Sequence, residues 1–416
     1  MASSQISDKP FLDLYSLEFR TDPHTVLRTL REQSWCADTA VGLAVLRYEE
    51  VQALLAHRKF RTPGADWLAF QGITAGPIVD AMGAFLLNTH GPDHDRVRRT
   101  IKRAFMERSI DAFRPRIRAI AQELIDQLPG QLPGQLPGQL AGQGECEFMG
   151  EFATPFAWRL LCEFVGIPAF AQAQVQQWNA DIALMFGLAV TEHAARIEEA
   201  LTGLYGFIDE LSSCERRKPS GSLLSALVAA NQGEELLTTR ELRALIITLM
   251  AAGSDTVTHQ LGNAVTTLVA HPEQWERLAS QPAEIPQVVE ELIRLNPAVI
   301  LGVPRLAMED LEWNDIKLSR GSCVLPVTGS ANRDALVFAH GDTFEPALRE
   351  RTHLTFGGGV HKCLGAALGR AELQDALLLL AQRLRGLQHA GPVQWHPATN
   401  PVYGPIRLPL RYEVAL

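Results

Sequence analysis

A single cysteine stands in the run Phe356-Gly357-Gly358-Gly359-Val360-His361-Lys362-Cys363-Leu364-Gly365, near the C-terminal end of a 416-residue chain. These residue types at this spacing suit a metal-bound thiolate. Glycine supplies positive φ angles and lets the backbone close round the sulfur, with amide N–H groups aimed at it. The apolar helical pattern from Leu364 to Leu380 places a helix N-terminus beside the sulfur, where its partial positive charge favours the anion. Phe, Gly, Cys and Gly fixed at these intervals are expected about 0.0015 times by chance in a chain of this composition. Taken alone, the segment has one competing reading, a structural cysteine in a turn.

A second group of reactive side chains lies in Leu245-Ile-Ile-Thr-Leu-Met-Ala-Ala-Gly-Ser-Asp-Thr-Val-Thr-His259. Ala252 and Thr256 are four apart and share a helix face. Gly253 costs a helix about 1 kcal/mol against Ala, so a steric reason is expected, such as a groove wide enough for a diatomic molecule. Asp255 in an apolar run is costly unless bonded or hydrated. The alternative for Thr256 is a hydrogen bond back to a carbonyl one turn earlier, bending the helix. Further along, Glu291 and Arg294 are within reach as an i, i+3 pair; such pairs are ordinarily surface salt bridges worth under about 1 kcal/mol.

The cysteine loop, continuing through Ala366-Ala367-Leu368-Gly369-Arg370, resembles the haem-ligand loop of the cytochrome P450 family. The resemblance implies that Cys363 is the proximal iron ligand of haem b, a thiolate that pushes electron density onto the metal. It also implies that Phe356, Gly357 and Gly365 lie against the cofactor. Ala252-Gly253-Ser254-Asp255-Thr256 looks like the family's acid–alcohol motif. Carried over, Ala252 borders the haem, Thr256 hydrogen-bonds dioxygen and Asp255 relays protons from solvent.

His94-Asp-Arg-Val-Arg98 matches the family's His-x-x-x-Arg helix. With Arg305 and His361 it is expected to hold the two haem carboxylates, which need charged partners when buried. The Glu291/Arg294 segment is similar to the family's Glu-x-x-Arg helix, a buried pair completed by an arginine from the coil before the cysteine. This chain carries Leu348 at the usual position, so Arg349 is the expected substitute, with Arg333 and Arg351 as alternatives. The matched positions span about two thirds of the chain, so the resemblance does not rest on one motif.

The elements that must position these residues are mostly helical. Apolar residues recur at three- and four-residue steps in Val26–Arg31, Tyr48–His57, Arg116–Gln127, Ala194–Leu211, Leu242–Val269, Ile285–Leu295 and Leu364–Leu384. Short strands are expected at Leu43–Arg47, Ser322–Pro326 and Ile406–Tyr412, and Pro and Gly break up the stretch before Cys363. The expected fold is mainly α with small β-sheets, a single P450 domain over residues 1–416. By resemblance, the haem lies between the long central helix and the cysteine loop. The repeat Gln127-Leu-Pro-Gly, copied through Gly138 and decaying into Gln139-Leu-Ala-Gly, makes residues 127–144 an expected surface loop insertion. A Pro-rich docking element is the alternative.

With 46% hydrophobic residues the chain can bury a large core, and its net charge of −9 argues against a nucleic-acid partner. Six scattered cysteines without a C-x-x-C pair disfavour a disulfide framework and a structural zinc site, and a reducing cytoplasm is expected. No run has the length of a membrane span, and Met1 to Lys9 lacks a signal-peptide core, so a soluble protein is expected; the family resemblance turns this into an expectation of the bacterial rather than the membrane-anchored type.

By the same resemblance, the chain is a monooxygenase that activates O2 to hydroxylate a medium-sized, largely apolar small molecule in secondary or xenobiotic metabolism. Its substrate pocket would draw on Trp67–Asn88, Leu184–Thr191, Leu249–Ala252, Pro297–Val303 and the turn at Val402-Tyr403. No flavin or iron–sulfur motif is present, so a separate ferredoxin with its reductase is the expected electron donor. The cluster Arg98-Arg99-Lys102-Arg103 with Lys362 would receive it. An atypical oxidation on the same fold (ring coupling, desaturation, nitration or peroxygenation) and a non-catalytic haem sensor are the alternatives.

Overall fold

The structure, a computed structural model, describes residues 9–130, 140–187, 189–230, 237–346 and 351–415. It is mainly helical with small sheets. The helices that carry the site are Gly91–Lys102 (α1), Glu107–Ile125 (α2), Thr154–Val165 (α3), Thr239–Gly253 (α4), Asp255–Val269 (α5), Ile285–Leu295 (α6) and Ala366–Arg383 (α7). Each buries an apolar stripe in one cluster that includes Ile117, Leu161, Leu261, Leu292 and Leu377. An ion-pair clamp adds to this packing. Asp375 on α7, buried, lies 3.2 Å from Arg114 and 3.1 Å from Arg118 on α2.

The central run expected as one helix over Leu242–Val269 is two helices, α4 and α5, parted at Ser254. The cause is local. The Thr256 hydroxyl donates to the Ala252 carbonyl at 2.7 Å, competing with the backbone ladder, and Gly253 lies between them. A capping box in which Thr238 and Glu241 satisfy each other's backbone N–H groups starts α4.

Ten strands make the sheets that flank the site: Cys36–Thr39 (β1), Gly42–Val45 (β2), Phe60–Arg61 (β3), Leu140–Glu147 (β4), Arg305–Ala307 (β5), Cys323–Pro326 (β6), Leu384–His389 (β7), Gln394–Trp395 (β8), Pro405–Arg407 (β9) and Pro409–Ala415 (β10). Five of them form the order β1-β2-β6-β5-β3, with β2 and β6 parallel and the other pairs antiparallel. This sheet carries Arg305 opposite Val324. The run Ile406–Tyr412, expected as one strand, is divided between β9 and β10.

The expected loop at 127–144 is corrected at its end. Residues 131–139 lie outside the described residues, but β4 pairs with β10 from Leu140 opposite Ala415 to Glu147 opposite Pro409. Gly144 permits this, since a Cβ there would lie 2.3 Å from the Pro129 carbonyl oxygen and 2.6 Å from the Tyr412 ring. Among the described residues no helix is long and apolar enough to cross a membrane.

Candidate functional site

The cysteine loop is shaped by two glycines in the left-handed region, Gly357 at φ 67° and Gly359 at φ 63°. A Cβ at Gly359 would sit 2.4 Å from the Leu55 carbonyl oxygen, so the loop is pressed onto the helix Tyr48–Ala56. At Gly357 and Gly365 a Cβ would meet nothing within 4 Å, which leaves open space beside the sulfur. The Cys363 amide donates to the Phe356 carbonyl at 2.8 Å and closes the loop. The Phe356 ring lies under the Arg370 guanidinium, 4.5 Å away, and Arg370 is held in turn by Glu290.

Cys363 is exposed onto a cleft of about 490 Å³ whose walls include Arg98, Arg99, Lys102, Phe105 and Leu364. Protein nonetheless packs closely round the sulfur. Burial pushes the thiol pKa up, while the amides of Gly365 and Ala366 and the charges of Arg98 and Arg370 pull it down. The start of α7 therefore serves the sulfur as its sequence position suggests. Arg98 is half-buried and donates to the Lys362 carbonyl at 2.5 Å, which places it beside the thiol.

Basic groups converge next to this loop. His94 on α1 is buried, with Nδ1 3.1 Å from Asp95 and with Nε2 lacking a partner. The His361 ring lies edge-on to His94 at 4.8 Å and to His90 at 5.4 Å. Arg305 is buried and donates to the carbonyls of Val303 at 2.8 Å and Pro304 at 3.3 Å. Burial lowers Arg305 to about 10. It lowers His361 to about 3, and the further influences on that ring, His94, Arg305, His90 and Arg98, are all basic. Four sequence-predicted residues, His94, Arg98, Arg305 and His361, are thus brought round Cys363. His90 was missed. Its only signal is its place one turn before His94, at the start of α1.

On α4 and α5, Ala252 and Asp255 are exposed and Thr256 is half-buried. The back-bond foreseen as the alternative for Thr256 is made. It commits the hydroxyl proton to the Ala252 carbonyl and leaves the oxygen lone pairs to accept. Asp255 accepts from the Ser254 hydroxyl at 3.2 Å. Gly253 does not open the groove: a Cβ there would lie 3.0 Å from Leu161 Cδ1, so its small size serves the packing of α4 on α3.

Glu291 and Arg294 form a buried pair, with both hydrogen bonds at 2.8 Å. Backbone supplies much of the remaining partnership. Arg294 donates to the carbonyls of Asn332 and Gly341 at 2.7 Å and Thr343 at 3.0 Å, and the Glu345 amide donates to Glu291 at 2.9 Å. Of the candidate third arginines, Arg349 lies outside the described residues. Arg333 donates to the Leu295 carbonyl and Asp342, and Arg351 pairs with Glu49.

Segments expected to line a substrate pocket are joined in two places. Gln71 donates to the Gly187 carbonyl at 3.1 Å and accepts from the Val190 amide at 3.2 Å, tying Trp67–Asn88 to Leu184–Thr191. The Tyr403 amide donates to the Ala298 carbonyl at 2.7 Å. The Tyr403 ring itself is buried, stacked on Trp395 and edge-on to His24.

The fold and site define a helical scaffold that offers one cysteine sulfur beside a buried basic cradle. The family model described as Cytochrome P450 matches residues 167–281 and 284–398. Luteothin monooxygenase of Streptomyces thioluteus is 34% identical over 98% of this chain and 97% of its own. Mycinamicin IV hydroxylase/epoxidase of Micromonospora griseorubida is 33% identical, covering 99% and 100%. The solved structure of cytochrome P450 CYP109Q5 from Chondromyces apiculatus superposes with a TM-score of 0.83 at 29% identity, over 97% of this chain and 98% of that one. The chain belongs to the cytochrome P450 family, and it is a monooxygenase of that family.

Membership implies a haem-iron cofactor, and the residues present fit one. The open space at Gly357 and Gly365, the unpartnered His94 Nε2 and the buried Arg305 cation are what a flat macrocycle with two carboxylates would fill and neutralise.

Proposed function

We propose that Cys363 would bind the iron of haem b as a thiolate and that His94, Arg98, Arg305 and His361 would hold its carboxylates, with Ala252, Phe356, Gly357 and Gly365 beside the ring. The observation that carries this reading is the convergence of basic side chains, His94 and Arg305 buried among them and His94 Nε2 without a partner, on the cysteine that sits at a helix start. When bound, the haem supplies dioxygen activation and the oxidation of a C–H bond.

The chain's own residues do the rest. The amides of Gly365 and Ala366 stabilise the sulfur anion. Thr256 presents its hydroxyl oxygen where Ala252 is exposed, and Asp255 carries protons to that place from solvent. The substrate is a medium-sized, largely apolar small molecule, a reading supported by relatives named for luteothin and mycinamicin IV.

The reading extends to a single catalytic domain and a cytoplasmic location, which six free cysteines support. A ferredoxin-type protein, reduced by its own reductase, delivers electrons at the basic rim of the Cys363 cleft.

The test is optical. Purified protein, reduced and treated with carbon monoxide, should show the red-displaced Soret band of sulfur ligation, and Cys363→Ser should abolish it. A band at the position given by nitrogen ligation, or one that survives the serine, would overturn the assignment. Thr256→Ala should then divert electrons to peroxide; a silent Thr256→Ala would point to a haem sensor.

A further inference from the structure

Beside Asp255, two imidazoles from distant parts of the chain come together. His259 stands one helical turn beyond Asp255 on α5, on the same face. His396 follows β8, and its ring lies edge-on to that of His259, with centroids 4.9 Å apart and planes at 84°. Their neighbours set complementary tautomers. His259 Nδ1 is 3.1 Å from the Pro405 carbonyl, which only accepts, so Nδ1 carries the proton and Nε2 keeps its lone pair. His396 Nδ1 is 2.9 Å from the Asn400 amide nitrogen, a donor, so its proton is on Nε2.

The pair is held firmly. A Cβ at Gly404 would lie 2.7 Å from His259 Cβ and 3.1 Å from its Nδ1, so the backbone before β9 presses on the ring. The field at both rings is simple. Burial lowers the His259 pKa, His396 lowers it further, and Asp255 and the Pro405 carbonyl raise it. Burial lowers His396 and Asp255 raises it. Among the described residues Asp255 is the acidic group that acts on both rings, and it is also the carboxylate assigned above to proton delivery.

We propose that His259 and His396 form a proton-supply pair for Asp255. One imidazole takes a proton from a buffer acid, becomes an imidazolium, and passes a proton to the Asp255 carboxylate. The imidazole returns to its neutral form, the buffer is left as its conjugate base, and Asp255 releases the proton toward Thr256. No electron moves in these steps. Burial disfavours the charged form of both rings, so each gives its proton up again, and the lone pair open to an incoming proton is that of His259 Nε2. The inference rests on the role assigned to Asp255, and its test separates the two.

Haem-loaded Asp255→Asn, His259→Gln and His396→Gln variants, each with an intact carbon monoxide band, are compared with the parent. In the diamagnetic carbon monoxide form, NMR titration of carbon-labelled imidazoles should show both midpoints falling in Asp255→Asn, and the His259 midpoint rising in His396→Gln. With NADPH and a surrogate ferredoxin and reductase, NADPH consumption should slow on the order of tenfold in each histidine variant. The slowing should come with a larger solvent deuterium effect, and the double variant should be no slower than the worse single one. Rates and isotope effects within twofold of the parent in both histidine variants, with Asp255→Asn slow, would overturn the proposal and leave Asp255 fed directly by water. An Asp255→Asn variant as fast as the parent would overturn the carboxylate's role and the pair together, while the carbon monoxide band would still report on the sulfur ligand.

Discussion

Replacing Arg305 with methionine should move two states of this protein in opposite directions. The guanidinium is 6% exposed and donates to the carbonyls of its own neighbours, Val303 and Pro304. Burial has lowered its pKa from 12.5 to about 10. At about 1.4 kcal/mol for each tenfold change in proton affinity, this sets the cation about 3 kcal/mol higher in the haem-free fold than in the unfolded chain. At pH 7 the group is charged in both states, so the full penalty applies. Methionine fills much of the same space without charge. Against that gain stand the lost hydrogen bonds to the two carbonyls, worth about 1 kcal/mol each.

The haem-free Arg305→Met protein should therefore be as stable as its parent or more stable, by about 1 kcal/mol, in urea unfolding followed by circular dichroism. The haem-loaded protein should lose a charge-assisted hydrogen bond to a carboxylate, worth about 1.5–3 kcal/mol. Haem transfer to apomyoglobin should then be roughly ten- to a hundredfold faster. A clearly destabilised haem-free variant that transfers haem no faster than the parent would refute the reasoning, because Arg305 would then be a structural cation already satisfied by the fold.

Arg294→Leu should take the guanidinium away from the buried Glu291 carboxylate and from three backbone carbonyls, costing about 3–5 kcal/mol in urea unfolding. Glu291→Leu/Arg294→Leu should recover part of that loss, and equal stability of single and double variants would count against it. His24 is half-buried with both ring nitrogens shielded from solvent, and its pKa is lowered to about 3 from 6.5, by desolvation first and then by Arg333, against the Asn296 side chain, which raises it. Its neutral form stabilises the fold above pH 6.5, and that contribution is lost as pH falls from 6.5 toward 3. His24→Phe, which keeps a ring edge-on to Tyr403, should shift the acid transition seen by circular dichroism to lower pH. Lys102→Glu, on the rim of the Cys363 cleft, should slow reduction by ferredoxin more at low salt than at high salt, leaving the carbon monoxide band in place.

The sequence was most legible where chemistry depends on neighbours in the chain. Gly357, Cys363 and the start of α7 lie within one turn or loop, so residue type and spacing already imply a closed backbone and a helix dipole at the sulfur. Glu291 and Arg294 are similarly local, although their burial, which makes the pair structural, is not a property of spacing. Gly253 was misread for the same reason: the sequence shows a missing side chain but not Leu161, whose approach requires it.

By itself, then, the sequence determined the helical class and the sulfur loop, since periodicity, capping and positive φ act over a few residues. Only the tertiary structure decided which bases share the cradle. It brought His90 and His94 against His361, and Arg305 from a sheet, into one low-dielectric place where each raises the cost of charging another. The backbone carbonyls that complete Arg294 and the meeting of His259 with His396 were decided there too. Burial and long-range packing set these arrangements, and neither is written into the spacing of residues along the chain.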